Sequence, residues 1–176
     1  DDQDLYFEKI HPENKEEYLS PSGYKRFMIQ KKLIMVKDSS TVSFSVRRTE
    51  NRVIIPHKLY GIQSLVPRGF RVSLAWSGFN SNDKTLETFI KLMSAKKFDD
   101  FKDTMPVSNS FNLILVIVDE TEIHSVFLGK APRRAKRNET KGLVITPGWK
   151  FINQWLPELK EEDKLLTLSN ENGVIL

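Results

Sequence analysis

Thr41-Val-Ser-Phe-Ser-Val-Arg47 alternates polar and apolar residues without a break, and its apolar members are β-branched or aromatic. A period of two belongs to a strand. Phe27–Val36 alternates as well, and Lys37-Asp-Ser-Ser40 supplies turn chemistry between the two, so the pair predicts a hairpin. Arg52–Ile55 extends it and Pro56 stops it. Further strands are predicted over Leu5–Ile10 and Gly69–Trp76, with a turn at Ser20-Pro-Ser-Gly23. Phe111–Val118 is an unbroken apolar run and predicts a central strand buried on both faces, with Glu122–Leu128 as its partner. Helical spacing is clearest in Asp83–Ala95, where Leu86, Phe89, Ile90 and Met93 recur at i, i+3, i+4, i+7. Lys96–Asp103 predicts a second short helix before Pro106. The sum is an α+β chain, mostly antiparallel sheet with a helical pair, read as a single segment over residues 1–176.

Composition narrows the chemistry. The 176 residues suit one domain. The absence of cysteine excludes disulfide scaffolds, thiolate metal sites and cysteine nucleophiles. His11, His57 and His124 are scattered, with no ligand spacing among them. The longest apolar stretch, Leu113–Val118, is far too short to span a bilayer. No secretory leader opens the chain and no Met initiates it, so it reads as a processed or truncated product. The net charge is +4 and the pI about 9.2, with the excess concentrated in Ala131-Pro-Arg-Arg-Ala-Lys-Arg137. That run reads as a solvated loop. It lacks the interleaved aromatics that stack on bases, so no nucleic-acid partner is expected.

No nucleophile elbow, P-loop or dinucleotide fingerprint is present. Weaker signals, taken in order, carry more. The opening D-D-Q-D-L-Y-F-E-K-I-H-P-E-N is followed by Val46-Arg-Arg-Thr49, Ser73-Leu-Ala-Trp-Ser-Gly78, and Thr85-Leu-Glu-Thr-Phe89 leading to Ala95-Lys-Lys-Phe-Asp-Asp-Phe101. Gly129-Lys-Ala-Pro-Arg-Arg134, Gly142-Leu-Val-Ile-Thr-Pro-Gly-Trp149 and Asn170-Glu-Asn-Gly-Val-Ile175 complete the series. This succession resembles a middle part of the β chain of penicillin acylase-type N-terminal nucleophile hydrolases.

The resemblance implies part of an αββα sandwich and hydrolysis of acyl amide bonds. It implies an oxyanion donor at the start of the apolar strand. An ungapped register puts Ile114 there, and a two-residue slip, which keeps the same sheet face, puts Asn112 there. It implies that Arg134 lies beside the nucleophile and the donor, with the alternative that Arg134 is an ordinary loop arginine. It implies a calcium site whose ligands here are Asp1, the backbone of Gln3, and Asp4; a solvated acidic end is the alternative. Partner chains would complete the fold, an acyl amide would be the substrate, and the compartment would be extracytoplasmic or organellar.

The departures are equally specific. The family's nucleophile, an N-terminal Ser, lies upstream of the matched segment, and Asp1 lacks the hydroxyl or thiol that the reaction needs. Asn51-Arg-Val-Ile-Ile55 replaces an H-G-P-V-I segment, and Glu122-Ile-His-Ser-Val126 shortens a Gly-rich one. Two readings follow: a portion of an acylase-like amidohydrolase that is inactive alone, or a catalytically dead relative serving as a structural subunit. A live site would bring Asn112 and Arg134 to one cavity. A dead one would let a larger side chain such as Ile114 fill it.

Overall fold

A computed structural model describes residues 2–56, 59–97, 99–100, 110–118 and 123–156. The chain forms two compact units, one of residues 1–2, 77–133 and 156–176, the other of residues 3–76 and 134–155.

The second unit is built on a six-stranded sheet. Its strands are β1 (Gln3–Lys9), β4 (Met28–Ile34), β5 (Val42–Arg48), β6 (Val53–Ile54), β7 (Phe70–Trp76) and β11 (Thr146–Pro147). The order is β11-β1-β7-β6-β5-β4, antiparallel throughout except for β11, which runs parallel to β1. A separate hairpin joins β2 (Glu17–Ser20) to β3 (Gly23–Arg26) through the Pro-Ser turn. Ser20 Oγ donates to Gly23 O across that turn at 2.6 Å. Gly23 takes φ +108°, which its missing side chain permits.

The apolar core of this unit is small. Ile10, Tyr18 and Phe27 pack together with Ile54 against them, and Tyr18 stacks on Phe27 at 4.8 Å between ring centres. The predicted hairpin forms as β4–β5, with Ile29 opposite Arg47 and Ile34 opposite Val42. Every residue of β4 is exposed, including Leu33 at 71%. Among the described residues neither face of that strand is covered.

The first unit contains α1 (Thr85–Ser94) and the hairpin β8 (Leu113–Val118) with β9 (Ile123–Leu128). Two expectations change here. β8 is not a central strand buried on both faces: among the described residues it pairs with β9 alone, and Ile114, Val116 and Val118 are exposed. An apolar run reports the tendency to be covered, and among the described residues only its Leu113, Leu115 and Ile117 side is shielded. α1 buries Thr85 and Thr88, and Phe89 is half-buried edge-on to Phe111, while Leu86, Ile90 and Met93 are exposed, so most of its apolar stripe faces outward. Half of the second predicted helix, residues 98 and 101–103, lies outside the described residues.

Candidate functional site

Asp4, Tyr6 and Glu8 occupy alternate positions on β1 and so project to one face of the sheet. All three are buried, at 3%, 1% and 0% exposure. Two charges taken out of water need close partners of opposite sign. Each has one.

Asp4 is held by Arg134, which lies in the two-residue strand β10 (Arg133–Arg134). Arg134 Nη2 donates to Asp4 Oδ1 at 2.7 Å, and its Nε lies 3.0 Å from Oδ2 and 3.3 Å from Oδ1. This fork-on-carboxylate geometry fixes the guanidinium plane as well as its charge. Trp155, which opens β12 (Trp155–Leu156), donates its indole Nε1–H to Asp4 Oδ2 at 2.6 Å. The Tyr6 hydroxyl lies 3.0 Å from Asn153 O and 3.4 Å from Asp4 Oδ2. Burial, and then the Asp4 charge, raise the Tyr6 phenol well above its ordinary value, so it stays protonated. The hydrogen bond to Asp4 likewise raises Arg134, which stays cationic.

Glu8 is held by Arg52. Arg52 Nε stands 2.8 Å from Glu8 Oε1, too far off-axis to count as a hydrogen bond, and Ser73 Oγ donates to the same oxygen at 2.6 Å. Arg52 Nη1 donates to Gln154 Oε1 at 2.9 Å, and its guanidinium carbon lies 4.3 Å from the centre of the Tyr6 ring. A cation over a ring face is attracted by the ring quadrupole. Tyr6 thereby stands between the two ion pairs. The turn that aims Arg52 is capped by Thr49, whose Oγ1 accepts from Arg52 N at 3.1 Å.

The loop between Arg134 and Trp155 is shaped to admit these groups. Gly142 sits at φ +85°, and a Cβ there would collide with Asp4 Oδ1 and approach Arg134 Nη2 to 2.9 Å. Asn138 Oδ1 accepts from Lys141 N at 2.6 Å and from Thr140 N at 3.1 Å, turning the chain. Asn153, fully buried, ties the loop to itself: its Nδ2 donates to Glu139 Oε2 at 3.0 Å and Pro147 O at 3.3 Å.

Asn112 belongs to the other unit and immediately precedes β8. Its Nδ2 donates to Lys130 O at 3.3 Å, and its Oδ1 is buried without a hydrogen-bond partner. Gly129, at φ +134°, makes room for it: a Cβ there would collide with Asn112 Oδ1 and come within 2.6 Å of Phe111 O. Ile114 is 70% exposed and fills no cavity among the described residues.

Calcium requires several hard oxygens free to converge on it. Asp4 Oδ1 and Oδ2 instead accept from Arg134 and Trp155, and a guanidinium 2.7 Å away repels a second cation. Gln3 lies in the β1–β7 ladder opposite Trp76, and Asp1 lies outside the described residues. Among the described residues no three acidic or histidine side chains gather into a metal-binding group. The donor set at Asp4 therefore does not fit calcium.

Sequence reasoning had singled out Asp4 and Arg134 separately and missed that they pair. It also missed Tyr6, Glu8, Arg52, Asn153 and Trp155. A usable signal was the alternation Asp4-x-Tyr6-x-Glu8, which marks one strand face carrying two acids and a phenol.

The sheet-dominated α+β fold is shared with known proteins. A sequence profile of the penicillin amidase family matches residues 1–176, and the chain belongs to that family. An acyl-homoserine lactone acylase, QuiP, of Pseudomonas syringae pv. syringae (strain B728a) is 27% identical over 157 residues, covering 88% of this chain. The QuiP of Pseudomonas aeruginosa is 25% identical over 160 residues. A thermostable penicillin G acylase from Alcaligenes faecalis superposes with a TM-score of 0.74 at 17% identity, over 97% of this chain and 29% of that one. The chain spans about 18% of the length of those acyl-homoserine lactone acylases.

Proposed function

We infer that this chain is a non-nucleophile portion of an acylase-like amidohydrolase, contributing the arginine centre to an acyl-transfer site. The carrying observation is the Asp4–Arg134 pair, locked by Trp155 and cradled by Gly142. The nucleophile, an N-terminal Ser, Thr or Cys, is supplied by polypeptide outside these 176 residues. An acyl transfer builds negative charge on the carbonyl oxygen, and a neutral donor or a fixed cation stabilises it. Arg134, its guanidinium fixed by Asp4, orients the nucleophile and the oxyanion donor. Asn112 keeps one amide N–H beyond the one given to Lys130 O and is the proposed oxyanion donor. The similarity to acyl-homoserine lactone acylases and to a penicillin G acylase supports substrates with an acyl amide bond.

The experiment is hydrolysis of N-acyl-homoserine lactone and of penicillin G by the full-length protein. Activity is expected on at least one of them, and Asn112→Ala should lower kcat by roughly 10²–10³-fold. Unchanged kcat in that variant overturns the oxyanion role.

A catalytically dead relative retained as a structural subunit is the second reading. It is favoured by Asn112 itself, whose nitrogen is already bonded within the fold while its oxygen is the unpartnered atom. No hydrolysis of either substrate by the full-length protein, with its fold intact, establishes this reading.

A further inference from the structure

β5 and β7 are separated by β6 alone, and the register decides which side chains share a face. Arg48 pairs with Val53, and Ile54 pairs with Ser73. Moving one step along the antiparallel ladder aligns Arg47 with Ile54 and Ser73, on one face. Arg71 stands two residues from Ser73 and projects to that same face. On β4, Ile29 lies opposite Arg47 and Lys31 opposite Ser45, which makes Lys31 the diagonal neighbour of Arg47. One region of the sheet thus carries Arg47, Arg71 and Lys31 with the Ser45 hydroxyl among them.

Among the described residues neither arginine forms an ion pair with an acid. Both are half-buried, and the Nε of each is buried without a hydrogen-bond partner. Glu8 lies opposite Arg71 in the ladder; its charge is countered by Arg52, which with Ser73 engages Oε1, while Oε2 is buried without a hydrogen-bond partner and makes no ion pair with either arginine. Burial first, and then the charge of Arg47, push Arg71 below its ordinary value. A protein leaves such a pair in place only with something to neutralise it.

We propose that Arg47 and Arg71 form a binding site for a doubly charged oxyanion of the phosphate type. Two guanidinium forks present paired N–H groups to two edges of a tetrahedral anion, and its two negative charges match theirs. A single carboxylate satisfies one fork and leaves the other cation uncompensated. Lys31, on the exposed rim, adds attraction for an arriving anion. This site is independent of the acylase reading, because neither arginine belongs to the Asp4–Arg134 centre.

The test is thermal melting of the full-length protein during a titration with inorganic phosphate, against chloride and acetate at matched ionic strength. A ligand that binds only the folded state raises Tm in a saturable way. Phosphate should give such a rise and acetate should not. Arg47→Gln and Arg71→Gln should each weaken the apparent affinity at least tenfold. Without phosphate, Arg71→Gln should melt no lower than the parent, since it relieves like-charge repulsion. If Arg71→Gln fails to fold, Arg71→Lys keeps the charge but loses the fork, and phosphate binding should still weaken. The proposal is overturned if phosphate gives no saturable rise, which would also be the outcome if an acidic side chain elsewhere in the full-length protein fills the site. It is overturned equally if acetate matches phosphate, or if the variants bind phosphate as well as the parent does.

Discussion

Asp4 is the residue on which the centre turns, because three donors meet on its two oxygens and almost no water reaches it. Asp4→Asn removes the charge but keeps the size, stranding a half-buried guanidinium. Breaking a buried pair from one side costs about 3–5 kcal/mol, so the variant should lose about that much in urea unfolding. A loss below about 1 kcal/mol would mean that Arg134 finds water instead. Chelation should leave the melting temperature of the parent unshifted, since the carboxylate is already neutralised by Arg134. A calcium-dependent rise in Tm, abolished in Asp4→Asn, would restore Asp4 as a metal ligand. Tyr6 gives a pH signature. Its phenol titrates higher in the folded chain than in the unfolded one, so its contribution is fully present below about pH 10 and is lost as pH rises above that. Tyr6→Phe should flatten the alkaline side of the stability profile. An unchanged alkaline slope would place that loss elsewhere.

At the scale of elements, local pattern and tertiary context part company. The strands were legible because a period of two is written in neighbouring residues: Thr41–Arg47 became β5, and Gly69–Trp76 became β7. Which face is buried was not legible. On β1 the inward residues are Asp4, Tyr6 and Glu8, and an acid reads as outward until its cation is known. Those cations, Arg134 and Arg52, lie 130 and 44 residues away along the chain. Arg134 entered the sequence reading only through family likeness, and nothing in the sequence linked Trp155 to Asp4. α1 shows the converse. Its apolar stripe was found at the right spacing, yet Leu86, Ile90 and Met93 face outward while Thr88 is buried, its Oγ1 donating to Lys84 O at 3.1 Å. Exposed apolar side chains contribute little to folding. Replacing Leu86, Ile90 and Met93 together by Gln should therefore change the stability of the 176-residue chain by no more than about 0.5 kcal/mol per site. A loss of several kcal/mol in denaturant unfolding would show that the stripe is covered within this chain.

For the molecule as a whole, the outward apolar residues recur on separate elements. Leu33, Ile34 and Phe44 lie on the β4–β5 hairpin, Ile114, Val116 and Val118 on β8, and the α1 stripe adds three more. Soluble monomers seldom leave large contiguous apolar patches uncovered, and among the described residues β4 also ends its sheet with an unpaired ladder edge. The chain spans about 18% of the length of the related acylases, and the remaining polypeptide is the proposed cover for these surfaces. Expressed alone, the 176 residues should then self-associate, with light scattering after size exclusion giving masses well above 20.4 kDa. The Gln substitutions on α1 should raise the monomer fraction, and Leu33→Lys on β4 should raise it further by placing a charge on the open edge. Supplying the rest of the full-length protein in trans should replace self-association with a defined complex. The two effects separate the causes: rescue by α1 variants points to apolar burial, rescue by Leu33→Lys to edge pairing. A monodisperse 20.4 kDa monomer that melts cooperatively would show that these faces need no cover, and would remove the argument that the chain works only as part of a larger fold.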